Sequence, residues 1–419
     1  MDSQQDNVAK PRVLMSAYSC EPGKGSEPEV GWRVATEMAK HADVHVITRA
    51  NNNVAIDPYY SDLPKEARPN FLYYDLPVFF LWLKKILIGP MGYYVLWQIG
   101  VRIKFGRLAA EMDLLHHVTF NGVQLPGLWF GIKTPVILGP LGGGMTCPEA
   151  FLPLFSGGSR VKEILRGYFL KALPFLPWWR ASISSADLVL AANPDTGEFL
   201  EGFVEDPVPL LLETAISEEE IVMDRPLFKS GPSDEMRLLW LGNLIPRKAP
   251  ILAVRALEKC LAQGSKIRLV MAGGGAEEQR LKNYVREHGL GEHVDFLGRV
   301  EKAKVAALFE QADAFLFTSV RDTSGNVVLE AMSRAIPVIT LWHQGMKVVC
   351  EPSSAVTIKV GTLEETISGL AEGMIELAAD PGLRGRLGKA GAERLREVFT
   401  WKAMGEKMLI YYRQVIFRR

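Results

Sequence analysis

The sequence predicts an α/β protein built as two parallel-sheet halves, and three observations carry that prediction. Short β-branched and aliphatic runs alternate with helical stretches, which is the pattern of βαβ units. The alternation occurs twice, on either side of a charged connector with Pro and Gly near residues 215–235. A chain of 419 residues is long enough for two domains, each with its own core.

In the first half, RVLMS at 12–16 reads as a strand, followed by the loop CEPGKGSEPEV and a helix from about 30 to 40. The next strand is VHVIT at 44–48, and residues 114–118, 136–138 and 188–191 are further short buried runs. The second half repeats the style. Strands are expected at 237–241, 267–272, 294–297, 314–318 and 338–341, and helices at 249–263, 276–287, 303–311 and 327–334. The expected division is a disordered lead-in over 1–10, one Rossmann-like domain over 11–220, a second over 221–400, and an amphipathic terminal helix over 401–419.

Composition narrows the function classes. Apolar content of 48% and charged content of 23% are those of a globular protein. Lys plus Arg equals Asp plus Glu at 48 each, so no global charge points to nucleic acid. Cys20, Cys147, Cys260 and Cys350 are scattered without CxxC spacing and read as the reduced thiols of a cytosolic protein. The polar opening MDSQQDNVAK is not a signal peptide. Two segments, 71–107 and 165–180, are rich in aromatic and aliphatic residues with interspersed Lys and Arg. The uncharged run at 86–101 is shorter than the roughly 20 residues a spanning helix needs. Two readings of these segments stand: helices packed on the core, or helices lying on a membrane surface with lysines toward the headgroups.

Open α/β sheets bind ligands at the carboxyl ends of their strands, and two facing sheets place the site in the cleft between them. After the first strand, Gly23, Gly25 and Ser26 let backbone approach a ligand. His116 and His117 close the run 113–117, and His117 is taken as the one that reaches the cleft. Asn243, Arg247 and Lys248 follow RLLWL, where a guanidinium fork and an ammonium can clamp a diphosphate. Arg299 and Val300 end another strand and offer backbone to a planar base. Asp322 and Glu330 flank the small-residue turn Thr323-Ser324-Gly325-Asn326, which opens a short apolar helix through Val327. Unpaired N–H groups at such a turn form an anion site suited to phosphate. With a carboxylate on either side, the ligand is both phosphate and polyol, as a nucleotide sugar is.

These residues carry a family resemblance. LWLGNLIPRKAP, LVMAGGG, VDFLGRV, ADAFLFTS and NVVLEAMSRAIPVI occur in the order of the blocks of the retaining glycosyltransferases of family four, which have the two-Rossmann GT-B fold. The resemblance covers about residues 10–415. It implies that Glu330 holds the ribose hydroxyls and Asp322 those of the transferred sugar. It further implies that the amides of Gly325, Asn326 and Val327 bind the pyrophosphate with Lys248, that the loop Gly23 to Ser26 approaches phosphate and acceptor, and that His117 lies near the reacting sugar. The terminal helix would cross back to the first domain. Three positions depart from the family pattern. Asp322 stands in place of the usual Glu, Asn243 in place of a frequent Arg, and Gln344-Gly345 in place of a glycine pair.

The implied activity is metal-independent, retaining transfer from a nucleoside-diphosphate sugar to a saccharide or lipid-linked acceptor. No cofactor is implied, and no DxD motif occurs. Two alternatives share the fold: a sugar-nucleotide 2-epimerase and a non-catalytic nucleotide-sugar-binding protein. A Rossmann dehydrogenase is set aside, because GxGxxG is absent after the first strand. The expected location is cytoplasmic, with the inner face of a membrane as a further partner.

Overall fold

The computed structural model describes residues 10–223 and 235–418. The lead-in expected over 1–10, apart from Lys10, and the part of the connector at 224–234 lie outside the described residues.

Among the described residues, twelve strands build two sheets. The first contains β1 (Arg12–Ser16), β2 (Asp43–Thr48), β3 (Asn70–Tyr73), β4 (Leu114–His117), β5 (Val136–Leu141) and β6 (Leu188–Ala191) in the order β3-β2-β1-β4-β5-β6. The second contains β7 (Met236–Leu241), β8 (Ile267–Ala272), β9 (Val294–Gly298), β10 (Ala314–Phe317), β11 (Val338–Leu341) and β12 (Val356–Ile358) in the order β12-β11-β10-β7-β8-β9. Every neighbouring pair is parallel. The two orders are the same doubly-wound pattern, which reverses direction between β1 and β4 and again between β7 and β10. Parallel sheets are covered on both faces, so their strands read as continuous apolar runs. Val13, Leu14 and Met15 are each fully buried, with Val13 and Met15 in the layer on one face and Leu14 in that on the other.

The two strands that the sequence did not disclose are both edges. β3 lies at the start of the aromatic segment 71–107, and its helical stretch begins only at Val78. β12 is three residues long and half-buried, too short to show a period. The first helix is Ser26–Ala39, starting four residues ahead of the expected position. Pro28 is accommodated there because a first-turn N–H has no helical partner to lose.

The terminal helix Trp401–Phe417 packs on the first half. Met404, Met408, Tyr412 and Val415 join the same buried cluster as Val13 and Met15. Each such side chain contributes about 1.5–3 kcal/mol by leaving water. Gly405 allows the close approach to helix Ser26–Ala39, since a Cβ there would lie 2.5 Å from Glu37 Cγ. The Tyr412 hydroxyl is 2.8 Å from His116 Nδ1, while His116 Nε2 lies 2.7 Å from the Gly139 carbonyl oxygen.

Polar contacts join the two halves. Arg321 Nε pairs with Glu163 Oε1 at 2.9 Å, Gln344 Nε2 donates to the Thr146 carbonyl at 2.8 Å, and Arg280 Nη1 donates to that of Leu154 at 3.1 Å. All four cysteines are buried and unbonded to one another. Among the described residues, no helix is long and apolar enough to cross a membrane.

Candidate functional site

The loops that follow β1, β4, β7 and β10 line one cleft of about 1350 Å³. These are the strands beside the two order reversals, where doubly-wound sheets leave a crevice at their carboxyl ends.

Asp322 organises the side of the second half. Its carboxylate accepts from Lys248 Nζ, from Ser319 Oγ at 3.1 Å and from Arg247 Nη1 at 3.4 Å on one oxygen. The other oxygen accepts from the Gly325 amide at 3.3 Å. The Asp322 amide in turn donates to Gln344 Oε1 at 2.9 Å. Burial works against the Asp322 charge, but Lys248, Arg247 and Ser319 outweigh it and hold the carboxyl below its ordinary value. Burial pulls Lys248 below the ordinary lysine value, with Asp322 opposing the shift.

The loops that carry these groups are stitched together. Trp240 Nε1 donates to Thr318 Oγ1, and Thr318 Oγ1 donates to the Lys248 carbonyl, each at 2.9 Å. The Val320 amide donates to the Arg247 carbonyl at 2.9 Å. Lys248 Nζ also sits 4.9 Å from the centre of the Phe317 ring, in cation–π range.

The turn after Asp322 enters helix Asn326–Met332 through Gly325, which has a left-handed φ of 62°. Asn326 and Val327 line the cleft, and their first-turn N–H groups have no helical carbonyl within reach. Gly325 does not join them on the lining, because its N–H is turned back onto Asp322. Two of the three expected residues therefore line the cleft. Glu330 lines it from a helix whose neighbours Val328, Leu329, Ala331 and Met332 are buried. Burial raises the Glu330 carboxyl, with the charges of Arg334 and Lys302 opposing.

Asn243, Arg247, Val300 and Ser324 also line the cleft. Arg299 does not. It is exposed where β9 ends in a left-handed Gly298, and its stem lies over Gly274, where a Cβ would meet Arg299 Cγ at 3.1 Å. From the first half, Gly23 and Gly25 reach the cleft with φ of 72° each, a left-handed value that glycine adopts without strain, and Ser26 reaches it at a φ of 52° without that freedom.

His117 is a correction. It ends β4 fully buried and does not line the cleft. Its Nε2 lies 3.0 Å from the Tyr94 hydroxyl, and Tyr94 is the residue on the cleft wall. Burial, aided by the neighbouring His116, lowers His117 to about 3, so its ring is neutral. A parallel strand has side chains on both faces, and sequence alone does not say which one a histidine at its end joins.

Four carboxylates on the lining, Glu27, Glu29, Glu213 and Glu220, escaped the sequence reading. Glu27 accepts from the Phe120 amide, and burial raises it against the backbone donors of Phe120 and Asn121. Glu213 accepts from Ser324 Oγ at 3.1 Å, across the cleft. Burial raises Glu213 to about 7; the Ser324 hydrogen bond opposes this, and the charges of Glu27 and Asp322 add to it. The stretch LLLETA around Glu213 contains no glycine and starts no helix, so nothing local marks it.

The fold is that of a GT-B protein: two six-stranded parallel sheets facing a cleft. Residues 226–394 match the family model of the glycosyl transferases group 1. The chain is 26% identical over 174 residues to a GDP-mannose-dependent monoacylated alpha-(1-6)-phosphatidylinositol monomannoside mannosyltransferase of Corynebacterium glutamicum, a match covering 40% of this chain and 44% of that protein. It is 27% identical over 190 residues to a D-inositol 3-phosphate glycosyltransferase of Mycobacterium tuberculosis, covering 44% of this chain and 38% of the other. The chain thus spans less than half the length of either relative. Sucrose-phosphate synthase from Thermosynechococcus elongatus superposes with a TM-score of 0.62 at 20% identity, covering 98% of this chain and 100% of that one. Anabaena HepE in complex with UDP and glucose superposes at 0.56 and 15% identity, covering 96% and 99%.

Proposed function

We propose that the protein transfers a glycosyl group from a nucleoside-diphosphate sugar to a hydroxyl of a saccharide or lipid-linked acceptor, with retention and without a metal. The observation that carries this reading is the pair Lys248 and Arg247, gathered on Asp322 at a cleft that Asn326 and Val327 also line. A lysine has three donors and an arginine five, so both keep donors for a phosphate while held by Asp322. When the bond from the sugar to the leaving phosphate breaks, negative charge grows on that phosphate. Preorganised cations and amides stabilise it at that moment. Glu330 takes the ribose hydroxyls, and Gly23, Gly25 and Ser26 close over the donor from the first half. The leaving phosphate accepts the acceptor's proton as the new bond forms on the same face, so no protein nucleophile takes part. Asp322 acts here chiefly by fixing the two cations. The quoted relatives are transferases by name, which favours this reading over the 2-epimerase and binding-only alternatives.

The test is incubation with UDP-, GDP- and ADP-sugars, with and without saccharide and lipid acceptors. Acceptor-dependent nucleotide release is expected. Lys248→Ala and Glu330→Ala should each retain the fold and lose roughly 100-fold or more in turnover, the scale of removing one preorganised stabilising group. Near wild-type turnover in both variants removes the site assignment. Isomerisation of the donor without acceptor, or binding without turnover, transfers the reading to one of the alternatives.

A further inference from the structure

Two helical segments of the first half carry large apolar side chains outward. On the run formed by helix Val78–Leu83, the wide turn Lys84–Ile88 and helix Gly89–Ala110, the residues Val78, Phe79, Trp82, Ile86, Leu87 and Met91 are exposed, Trp82 at 56% and Leu87 at 78%. On helix Gly157–Ala172, Val161, Ile164, Leu165, Tyr168 and Phe169 form a stripe with helical spacing. Such a stripe ordinarily faces a core, yet Tyr168 is 67% exposed, and Phe175 just beyond the helix is 83% exposed. Single exposed apolar residues are ordinary; two rows of them are not.

The two segments share one side of the molecule. Tyr93 and Trp97 of the first, and Leu170 and Leu173 of the second, pack into the same buried layer against Leu14, Leu115 and Leu138 of the first sheet. The same segments are cationic. Residues 78–110 contain no Asp or Glu, while Lys85, Lys104 and Arg107 are exposed. Residues 157–184 contain one acid, Glu163, which is buried and paired with Arg321, whereas Arg160, Lys162 and Lys171 face solvent. Apolar rows on segments whose own exposed charges are cations complement an anionic bilayer, where the rings sit at the headgroup level and each cation adds attraction. A two-fold contact between copies of this chain would set those cations against one another.

We propose that this face docks the protein onto an anionic lipid bilayer. Met91 both belongs to the exposed row and lines the cleft, so docking brings the cleft mouth to the headgroups. If the transferase reading also holds, an acceptor held in the bilayer enters along this face.

Docking is tested without any sugar donor, so its outcome is separate from that of the transfer assay. The full chain is floated with vesicles of phosphatidylcholine alone and of phosphatidylcholine with phosphatidylglycerol, at low and high salt. Binding to the anionic vesicles is expected, weaker with phosphatidylcholine and weaker at high salt. The triple variants Trp82→Ser/Leu165→Ser/Tyr168→Ser and Lys85→Glu/Lys162→Glu/Lys171→Glu alter exposed positions only and should melt like wild type. Each should reduce vesicle binding by about tenfold or more. Wild-type protein that stays unbound to anionic vesicles, or variants that bind as well as wild type, overturns the proposal. So does a wild-type dimer in light scattering that the apolar variant dissociates without any vesicle binding, which would make the face a self-association surface.

Discussion

Replacing Glu213 by Gln tests whether a proton is stored at the centre of the cleft. Glu213 is half-buried and accepts from Ser324 Oγ at 3.1 Å, an interaction that a glutamine carbonyl can preserve. Burial, with the charges of Glu27 and Asp322, moves its carboxyl from 4.5 to about 7. At about 1.4 kcal/mol per unit, that rise corresponds to roughly 3 kcal/mol. Between the two values the folded protein holds a proton that the unfolded chain has released, so the contribution is complete below 4.5 and is lost as pH rises to about 7. Glutamine cannot ionise and escapes that loss. The stability of Glu213→Gln relative to wild type should therefore rise by roughly 3 kcal/mol between pH 4 and pH 8, and its melting temperature by several degrees relative to wild type. Melting curves of both proteins across that range, followed by tryptophan fluorescence, provide the readout. A difference that does not change with pH refutes the reasoning, because it would mean that Glu213 titrates alike in the folded and unfolded chains.

Other consequences follow from the same site. Asp322→Asn leaves Lys248 half-buried beside a neutral partner and should destabilise the protein by about 1–3 kcal/mol, read as a fall in melting temperature; an unchanged melt would show the ion pair to be energetically idle. Gly345→Ala would place a Cβ 1.9 Å from the Thr323 carbonyl oxygen. The loop carrying Asp322 and Ser324 must then shift, with an expected cost of about 1–3 kcal/mol and weaker nucleoside-diphosphate binding in a thermal-shift titration. Wild-type melting and binding in that variant would show that the loop has room to yield.

Much of the second half was legible because its signals are local. Apolar runs such as IRLVMA and helical stretches between them mark βαβ units whatever surrounds them, and Asn243, Arg247, Lys248 and the turn from Thr323 follow strands directly in the chain. Edge strands β3 and β12 were not legible, because strands that are short and half-buried lack the periodic contrast on which such reading depends. The first half contributed less of the site in advance. Beyond the loop Gly23 to Ser26, contributions such as Tyr94 and Glu213 come from separate segments that meet only after folding.

By itself, then, the chain determined an α/β architecture in two halves, the small-residue turn after Asp322 and the two cations after strand ends, since each depends on neighbours a few positions away. Which of those groups share a cleft was decided only by the tertiary structure. It buried His117 behind Tyr94, turned the Gly325 amide onto Asp322, left Arg299 outside, and brought Glu213 to Ser324 from 111 positions away. The physical reason is that burial, charge coupling and the direction of a side chain are set by how the two sheets and their helices pack, and packing joins residues that no local pattern connects.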